Sequence, residues 1–301
     1  MTRALVIGRV RQGRPIEATI KQVKIGLEAA GWKVETALVI HKSDLRQRAA
    51  QATKAKVDVV IAVGGDGGVF QVVQGLAETK VALGVIPLGT GNLLAGNLGI
   101  PQEVEAAIKV ILAGHSRRID LGQLVIGNKR RVFSVACGIG FDAQVMAATE
   151  KSQKLRWGKL AYAAGVLRSR RHLRNTTHEI TIDGQTFKLE AAQIFIANFG
   201  PGRSIKPRLH IKPDDGLLDV VVVRASGPIS ALLAGWEALR LRRLGSSQGG
   251  HIFWTRAHEI RIKTPGRLVE VDGSVIGSTP ITVSIWANAL SVLVPDRQSR
   301  P

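Results

Sequence analysis

The first 122 residues alternate between short apolar runs and longer segments in which apolar residues recur at helical spacing. The short runs lack polar alternation, which is typical of parallel strands covered on both faces. The pattern predicts strands at Leu5–Ile7, Lys33–Val39, Val57–Val63 and Val81–Ile86, and helices at Ile16–Ala30, Leu45–Ala55, Val69–Ala77 and Val104–Ala113. This order predicts right-handed βαβ units around a parallel sheet.

After about residue 122 the apolar runs become shorter, and most of them have the length of single strands. Asp183-Gly184 is a hairpin turn signal. The runs predict strands at Leu124–Ile126, Arg131–Ala136, Glu179–Ile182, Gln185–Leu189, Ala192–Ala197, Leu218–Arg224, Glu259–Thr264, Leu268–Val271 and Ile281–Trp286. We therefore predict an α/β protein with a doubly wound parallel-sheet domain at 1–122 and a mainly antiparallel β domain at 123–287.

A glycine-rich loop follows the most apolar of the predicted strands. Val59–Val63 leads directly into Gly64-Gly65-Asp66-Gly67-Gly68. Because glycine has no Cβ, such a backbone can approach a ligand closely, and phosphate is the usual ligand. Asp66 would repel a phosphate unless a cation mediates or the carboxylate accepts a hydroxyl hydrogen bond. A plain tight turn between strand and helix is the alternative interpretation.

A second loop of the same kind follows the next strand, Val81–Ile86. It reads Pro87-Leu88-Gly89-Thr90-Gly91-Asn92, with a hydroxyl at Thr90 and an amide at Asn92. Ligands of α/β sheets collect beyond the carboxyl ends of the strands. We therefore expect the two loops to line one crevice.

The two loops belong to an ordered set of motifs that extends over nearly the whole chain. The set comprises Gly64–Gly67, Gly89–Asn92, Leu98–Pro101, Ile119–Gly122, Gly138–Ala143, Asp214–Val220 and Val271–Gly273. In this order the motifs resemble those of the diacylglycerol kinase and sphingosine kinase family of lipid kinases. NAD kinases share the first loop, but the motif at Gly138–Ala143 argues against that family.

The resemblance implies an NAD kinase/diacylglycerol kinase-like fold, in which the last strand, within 288–296, returns to the first domain. It also implies transfer of the γ-phosphoryl group of ATP to a lipid hydroxyl, diacylglycerol-like or sphingoid, in lipid metabolism. The loop glycines would then cradle the phosphates and Thr90 and Asn92 would line the nucleotide, while Asp66 would act through Mg²⁺ or orient a hydroxyl. The cradle would consist of Gly64, Gly65, Gly67, Gly68, Gly89 and Gly91.

A second Mg²⁺, of structural type, is implied near Asp214-Asp215-Gly216. Its ligands would be the Asp215 carboxylate and the backbone carbonyls of Lys212 and Leu217. Oxygen ligands at a tight turn suit a hard cation. A simple turn before the strand at Leu218 is the alternative.

The chain departs from the family pattern at several positions. After the first loop, Gly68 replaces a threonine and Gln71 a glutamate, and the first strand ends in Gly8–Gly13 instead of an Asn-Pro-x-Ser-Gly-like loop. Gly96 stands where arginine is common.

The most serious departure is at the proton acceptor, since the family's Asp-Gly-Glu reads Asp272-Gly273-Ser274. A serine hydroxyl is not basic enough to accept a proton at neutral pH. Asp272, Glu270 and Asp66 are the acids that could serve instead. Two hypotheses follow: a lipid kinase that is weakened or uses another base, and a non-catalytic relative that binds nucleotide, anionic lipid or both.

The net charge of +19, from 42 basic and 23 acidic residues, predicts an anionic partner. Residues 151–174 carry eight Lys or Arg and no acid among apolar residues that include Trp157, and 231–243 is a similar segment. Such segments are typical of helices that lie on an anionic membrane, although core helices with basic faces give the same pattern. We expect a cytoplasmic protein that is peripherally membrane-associated. We do not expect a nucleic-acid partner, and a homodimer stays open.

Overall fold

The computed structural model describes residues 1–13, 15–140, 175–200, 211–224 and 250–296. In this part of the chain, five helices and sixteen strands are formed. The helices are α1 (Ile16–Ala29), α2 (Lys42–Lys54), α3 (Asp66–Leu76), α4 (Leu93–Leu98) and α5 (Val104–Ala113). The strands of the first half are β1 (Arg3–Arg9), β2 (Lys33–Val39), β3 (Val59–Gly64), β4 (Ala82–Pro87), β5 (Ser116–Ile126), β6 (Lys129–Phe133) and β7 (Ala136–Ile139). Those of the second half are β8 (Thr176–Ile182), β9 (Gln185–Ala191), β10 (Gln193–Ala197), β11 (Leu218–Val223), β12 (Ile252–Ala257), β13 (Glu259–Ile262), β14 (Leu268–Val271), β15 (Ser274–Ser278) and β16 (Ile281–Leu293).

Four parallel strands in the order β2-β1-β3-β4 form the N-terminal part of a ten-stranded sheet. Their side chains are almost entirely buried in β1, β3 and β4, because helices cover both faces of the sheet. The carboxyl ends of β1, β2 and β3 lie in register, with Gly8 opposite both Leu38 and Val63. All the loops that follow these strands therefore leave the sheet at one edge.

The last strand, β16, joins the two halves of the molecule. It pairs in parallel with β4 at Val292 and Leu83, and antiparallel with β5 over most of its length. The remainder of the sheet continues through β13, β8 and β9, and β6 pairs with β5. Because β5 and β16 run across the expected limits at residues 122 and 288, those domain limits stay a prediction.

A second sheet of six antiparallel strands has the order β12-β11-β10-β7-β14-β15. Its apolar face packs with β8 and β13 of the first sheet in a second core. Phe70 of α3 belongs to this core as well, so the phosphate-loop helix is anchored in the C-terminal half. The predicted fold class, a parallel α/β domain followed by an antiparallel β domain, is confirmed.

Several element boundaries differ from those expected. Helix α3 begins at Asp66, not Val69, and α2 begins at Lys42, not Leu45. The strand expected at 131–136 is broken at Ser134-Val135, where the backbone binds another part of the chain. The basic segments at 151–174 and 231–243, and residues 141–143 of one motif, lie outside the described residues. No helix in the described ranges is long and apolar enough to cross a bilayer.

Candidate active site

The first glycine-rich loop is the turn between β3 and α3. Gly64 ends the strand, Gly65 caps the helix in an extended conformation, and Asp66, Gly67 and Gly68 form the first helical turn. Backbone hydrogen bonds from Gly68 and Val69 to the Gly65 carbonyl close this turn. The N-terminus of α3 and its N–H groups therefore face the crevice beyond the strand ends, as a phosphate site requires.

The second loop is held in shape by Asn92. The side chain of this buried residue accepts a hydrogen bond from the Gly89 N–H at 2.8 Å and donates one to the Gly89 carbonyl oxygen at 2.9 Å. Asn92 itself has a φ of 46° in the left-handed region, which asparagine tolerates better than most residues. Thr90 and Gly91, at the tip between them, are exposed. The amide of Asn92 thus shapes the loop, and Thr90 lies at its exposed tip.

The two loops are in direct contact, as the sequence predicts. The Asp66 Oδ1 atom accepts a hydrogen bond from the Leu93 N–H at 2.5 Å. A Cβ atom on Gly91 would lie 2.8 Å from Asp66 Oδ2, and one on Gly65 would lie 2.9 Å from the Gly89 Cα. Glycine is therefore required at these positions because the neighbouring loop occupies the space of a side chain.

The Asp272 side chain is fully engaged in hydrogen bonds within the fold. Its carboxylate accepts four hydrogen bonds of 2.8–2.9 Å, two from Ser134 (N–H and hydroxyl) and one each from the Val135 and Ala136 N–H groups. Burial raises the pKa of Asp272, and the hydrogen bonds from Ala136, Ser134 and Val135 lower it in part. An acid whose two oxygens each accept two hydrogen bonds is poorly suited to take a proton from a substrate. Its catalytic role stays a prediction that this geometry disfavours.

The Asp272-Gly273 pair also has a structural explanation. Both residues have positive φ, 43° and 83°, between the paired residues Val271 and Ser274. Two successive positive φ values are the mark of a type I′ hairpin turn, for which Asp-Gly is a preferred sequence. Ser274 is half-buried at the start of β15, next to this turn. Ser274 thus occupies the position of the family's glutamate, and the hairpin has a hydroxyl there instead of a carboxylate.

The turn with the implied Mg²⁺ ligands is fixed by Asp120, a buried residue of β5. One carboxylate oxygen of Asp120 accepts from the Gly216 N–H at 2.8 Å, and its own N–H donates to the Pro213 carbonyl oxygen at 2.6 Å. Asp214 pairs with Arg117, whose Nη2 lies 2.5 Å from its Oδ2. The Asp214 side chain therefore stabilises the turn through this ion pair. Asp215 is the other acid of the turn.

Asp215 has the oxygen that a cation would need. Its Oδ1 accepts from the Leu217 N–H at 3.2 Å, while its Oδ2 is buried without a hydrogen-bond partner. Arg256 Nη1 lies 3.5 Å from that Oδ2, and Arg256 Nε lies 3.6 Å from Asp219 Oδ1. Burial raises the pKa of Asp219, whereas hydrogen bonds from Trp254 and Arg256 and the charge of Arg256 lower it in part. The orphaned Asp215 oxygen fits a hard cation, although Arg256 supplies part of the balancing charge.

Among the described residues, no group of three or more His, Cys, Asp or Glu side chains could hold a metal. A site at this turn would depend on backbone carbonyls, as the expected ligands Lys212 and Leu217 imply.

Three residues that contribute to the site belong to none of the predicted site positions. Asn198 is buried and donates to the carbonyl oxygens of Asp120 and Ser134, so it links the turn to the Asp272 hairpin. Asn97 of α4 donates to the Gly200 carbonyl oxygen at 3.0 Å, which ties the second loop's helix to the C-terminal half. Lys42 lies beside the first loop, and its position soon after a predicted parallel strand is the one signal that the sequence offers for it.

The chain is similar to known proteins over nearly its whole length. Residues 4–124 match the family model described as the diacylglycerol kinase catalytic domain, and residues 135–294 match the YegS C-terminal NAD kinase beta sandwich-like domain. A Mycobacterium tuberculosis protein named diacylglycerol kinase is 31% identical over 84% of this chain and 82% of its own length. A Bacillus subtilis protein of the same name is 29% identical over 93% of this chain and 92% of its own length. A crystal structure from Bacillus anthracis covers 97% of both chains with a TM-score of 0.77 and 25% identity.

Proposed function

Because this chain belongs to the diacylglycerol kinase family, we propose that it is an ATP-dependent lipid kinase that transfers the γ-phosphoryl group to a lipid hydroxyl. The substrate would be a diacylglycerol-like or sphingoid lipid. The observation that carries the proposal is the contact between the two glycine-rich loops through Asp66 and Leu93. The glycines of both loops allow the close approach that a phosphate crevice needs.

Phosphoryl transfer depends mainly on positioning and on the neutralisation of charge. The N–H groups at the start of α3 would bind phosphate oxygens, and the exposed Thr90 hydroxyl would donate to the nucleotide from the facing loop. Asp66 keeps the two loops at a fixed separation through its Oδ1 and directs its Oδ2 towards Gly91. Mg²⁺ bound with ATP supplies neutralising charge in such a reaction, and Asp66 is the residue that would face it.

A structural Mg²⁺ at the turn would be held by the Asp215 carboxylate and the carbonyls of Lys212 and Leu217. The Asp215 Oδ2, which is buried without a hydrogen bond and lies 3.5 Å from Arg256 Nη1, supports this assignment. The turn is joined through Asp120 and Asn198 to the segment that binds Asp272. A cation there would stabilise the turn and, through this link, the position of the Asp272 hairpin.

The proposed transfer also requires a group that accepts the proton of the lipid hydroxyl. Ser274 cannot accept it, and Asp272 already accepts four hydrogen bonds. Asp66 and Glu270 are the acids that remain of those considered. A loose phosphoryl transfer requires less help from a base than an acyl transfer does, so we expect slow turnover rather than none.

The second candidate is a family member that binds nucleotide, anionic lipid or both without turnover. Ser274 and the saturated Asp272 favour it. The motifs Gly64–Gly67 and Gly89–Asn92 are intact, which favours the kinase over a relative that binds lipid alone, since such a relative has no need of phosphate loops. In either case the net charge of +19 supports work at an anionic membrane surface on the cytoplasmic side.

One experiment separates the two candidates. Purified protein is incubated with γ-labelled ATP, Mg²⁺ and a mixed lipid extract, and the lipids are separated and counted. Labelled lipid that disappears when Asp66 is changed to Ala supports the kinase. Nucleotide binding by calorimetry without labelled lipid supports the binding protein.

A further inference from the structure

Lys42 places a positive charge beside the first glycine-rich loop. It is the first residue of α2 and follows closely on the carboxyl end of β2, at the sheet edge from which the glycine loops also leave. Its ammonium group reaches across to the next loop. A Cβ atom on Gly67 would lie 3.0 Å from the Lys42 Nζ and 3.1 Å from its Cε. The lysine thus fills the space beside the first turn of α3.

This position sets the ammonium group beside the first turn of α3, while the Lys42 backbone begins α2. Each helix N-terminus carries roughly half a positive charge, so the ammonium and the two helix ends together carry about two positive charges. The carboxylates in the two first turns balance this charge formally, and each already accepts a hydrogen bond, Asp44 from the Ser43 hydroxyl and Asp66 from the Leu93 N–H. An anion of high charge in the crevice would be attracted by the ammonium and by both helices at once.

The departures from the family pattern also favour a contact between Lys42 and an anion. Where the family has a threonine after the first loop and a serine in the loop after the first strand, this chain has Gly68 and Gly8–Gly13. Two neutral hydroxyl side chains of the family pattern are therefore missing next to the crevice. A lysine ammonium has three N–H donors and makes charge-assisted hydrogen bonds that are roughly twice as strong as neutral ones.

We propose that Lys42 is a phosphate-binding residue of this protein, and that its ammonium replaces hydroxyl groups as donor to the nucleotide's polyphosphate. This inference rests on the proposed function, because it assigns a contact within the same crevice. It predicts that binding depends on the phosphates and on ionic strength, more than on the nucleoside.

The test is calorimetric binding of ATP, ADP and adenosine, with Mg²⁺, to the full chain and three variants. Lys42→Met should weaken ATP and ADP binding by about tenfold to a hundredfold, the loss of one charged hydrogen bond, and leave adenosine binding unchanged. It should also flatten the salt dependence of ATP binding. Lys42→Arg should retain part of the affinity.

Lys54→Met is the matched control, since Lys54 is exposed in the last turn of the same helix, about 18 Å along its axis. It should bind all three ligands as the unaltered protein does. A thermal melt of each variant verifies that the fold is kept.

The outcomes separate this inference from the proposed function. If the unaltered protein binds ATP and Lys42→Met binds it equally well, the inference is wrong and the kinase proposal stands. If Lys42→Met weakens adenosine as much as ATP, Lys42 supports the fold of the crevice and makes no phosphate contact. If the unaltered protein binds no nucleotide, both the proposed function and the inference fail.

Discussion

The Asn198 side-chain amide donates to the Asp120 carbonyl oxygen at 2.7 Å and to the Ser134 carbonyl oxygen at 3.1 Å. Ser134 in turn donates to Asp272, and the Asp120 carboxylate accepts from Gly216. One chain of hydrogen bonds therefore runs from the turn of the implied Mg²⁺ site to the hairpin that carries Ser274. Buried hydrogen-bond networks of this kind fix relative positions, so the two features are held as one unit.

Asp66 accepts the hydrogen bond that joins the two loops, and the proposed function gives it a second role in phosphotransfer; two substitutions distinguish these roles. Asp66→Ala removes the acceptor of the Leu93 N–H, which costs about 1–3 kcal/mol of stability. Asp66→Asn keeps an acceptor oxygen and removes only the charge. We expect both variants to lose phosphotransfer by about 10²-fold or more, because the rate depends more on charge at the transferring phosphate than on the contact between the loops. Labelled-lipid formation and thermal melts measure the two effects.

Asp58→Asn is the control for these variants. Asp58 precedes the same strand, β3, at its opposite end, and its carboxylate accepts from the Arg3 N–H. Its neutralisation should leave phosphotransfer unchanged. Full activity in Asp66→Asn would show that Asp66 serves only to join the loops.

Asp215 predicts a Mg²⁺-dependent stability that does not require nucleotide. A ligand that binds only the folded state raises the melting temperature by an amount that grows with its concentration relative to its Kd. We expect millimolar Mg²⁺ to raise the melting temperature of the unaltered protein and not that of Asp215→Asn. Asp214→Asn is the control, because Asp214 pairs with Arg117 and should keep the Mg²⁺ response. A melting temperature indifferent to Mg²⁺ would mean that Arg256 supplies the positive charge at this turn.

His178 predicts a loss of stability in mild acid. Burial lowers its pKa and the charge of Arg267 lowers it further, whereas a backbone hydrogen bond with Ala191 raises it in part. As the pH falls through about 6.5, the unfolded chain takes up a proton that the folded protein does not, so the folded state loses stability. The contribution is complete above this pH and is lost as the pH approaches the lowered pKa.

His178→Gln should show a smaller decrease in the free energy of unfolding between about pH 7.5 and about pH 5.5, measured by urea denaturation. His115→Gln replaces an exposed histidine. Its free energy of unfolding should decrease over this pH range as much as that of the unaltered protein. Equal decreases in all three proteins would assign the acid sensitivity to other groups.

The basic segment at 151–174 predicts salt-sensitive membrane binding. We expect the protein to sediment with anionic vesicles, and less so as salt shortens the range of charge attraction to about 10 Å at 0.1 M. Replacement of Arg168, Arg170 and Arg171 by Ser should reduce sedimentation more than the same change at three basic residues of α2 (Arg46, Arg48 and Lys54). Equal sedimentation with neutral vesicles, or tighter binding to DNA than to anionic lipid, would contradict the prediction.

Local patterns predict much of the fold and of the crevice. The β-branched runs before Gly64 and Pro87 form the expected parallel strands, and the loops after them meet as the sheet geometry requires. The sequence pattern places the start of α3 too late, because glycine has a low helix propensity. In the structure, Gly67 and Gly68 are helical in the first turn, held by the bonds that close on Gly65.

The sequence does not predict the contacts between distant segments. Asn198 reaches Asp120 across 78 residues, and Asp272 reaches Ser134 across 138. Neither pairing leaves a local pattern, so the break between β6 and β7 has no signal in the sequence. The Asp272-Gly273 turn is different. It carries the same hairpin signal as Asp183-Gly184, and the resemblance to a catalytic motif obscures it.

Ser274 provides the sharpest test of the chemistry. Ser274→Glu would restore a carboxylate at the start of β15, one residue after the type I′ turn. Because Asp272 is held by four hydrogen bonds, it would stay in place beside the new acid. If the crevice still binds ATP and lacks only a proton acceptor, we expect phosphotransfer to rise by up to about 10²-fold.

Ser274→Gln is the matched control, since it has the size of glutamate and no basic oxygen. It should leave turnover at or below the unaltered level, so a rise in Ser274→Glu alone assigns the gain to the carboxylate. A decrease in Ser274→Glu would mean that another acid already accepts the proton and that the new charge opposes it. If neither protein forms labelled lipid and calorimetry detects no ATP binding, the kinase hypothesis is wrong. Binding without turnover in both would favour the non-catalytic relative, because a restored base cannot help a crevice that does not place the phosphates for transfer.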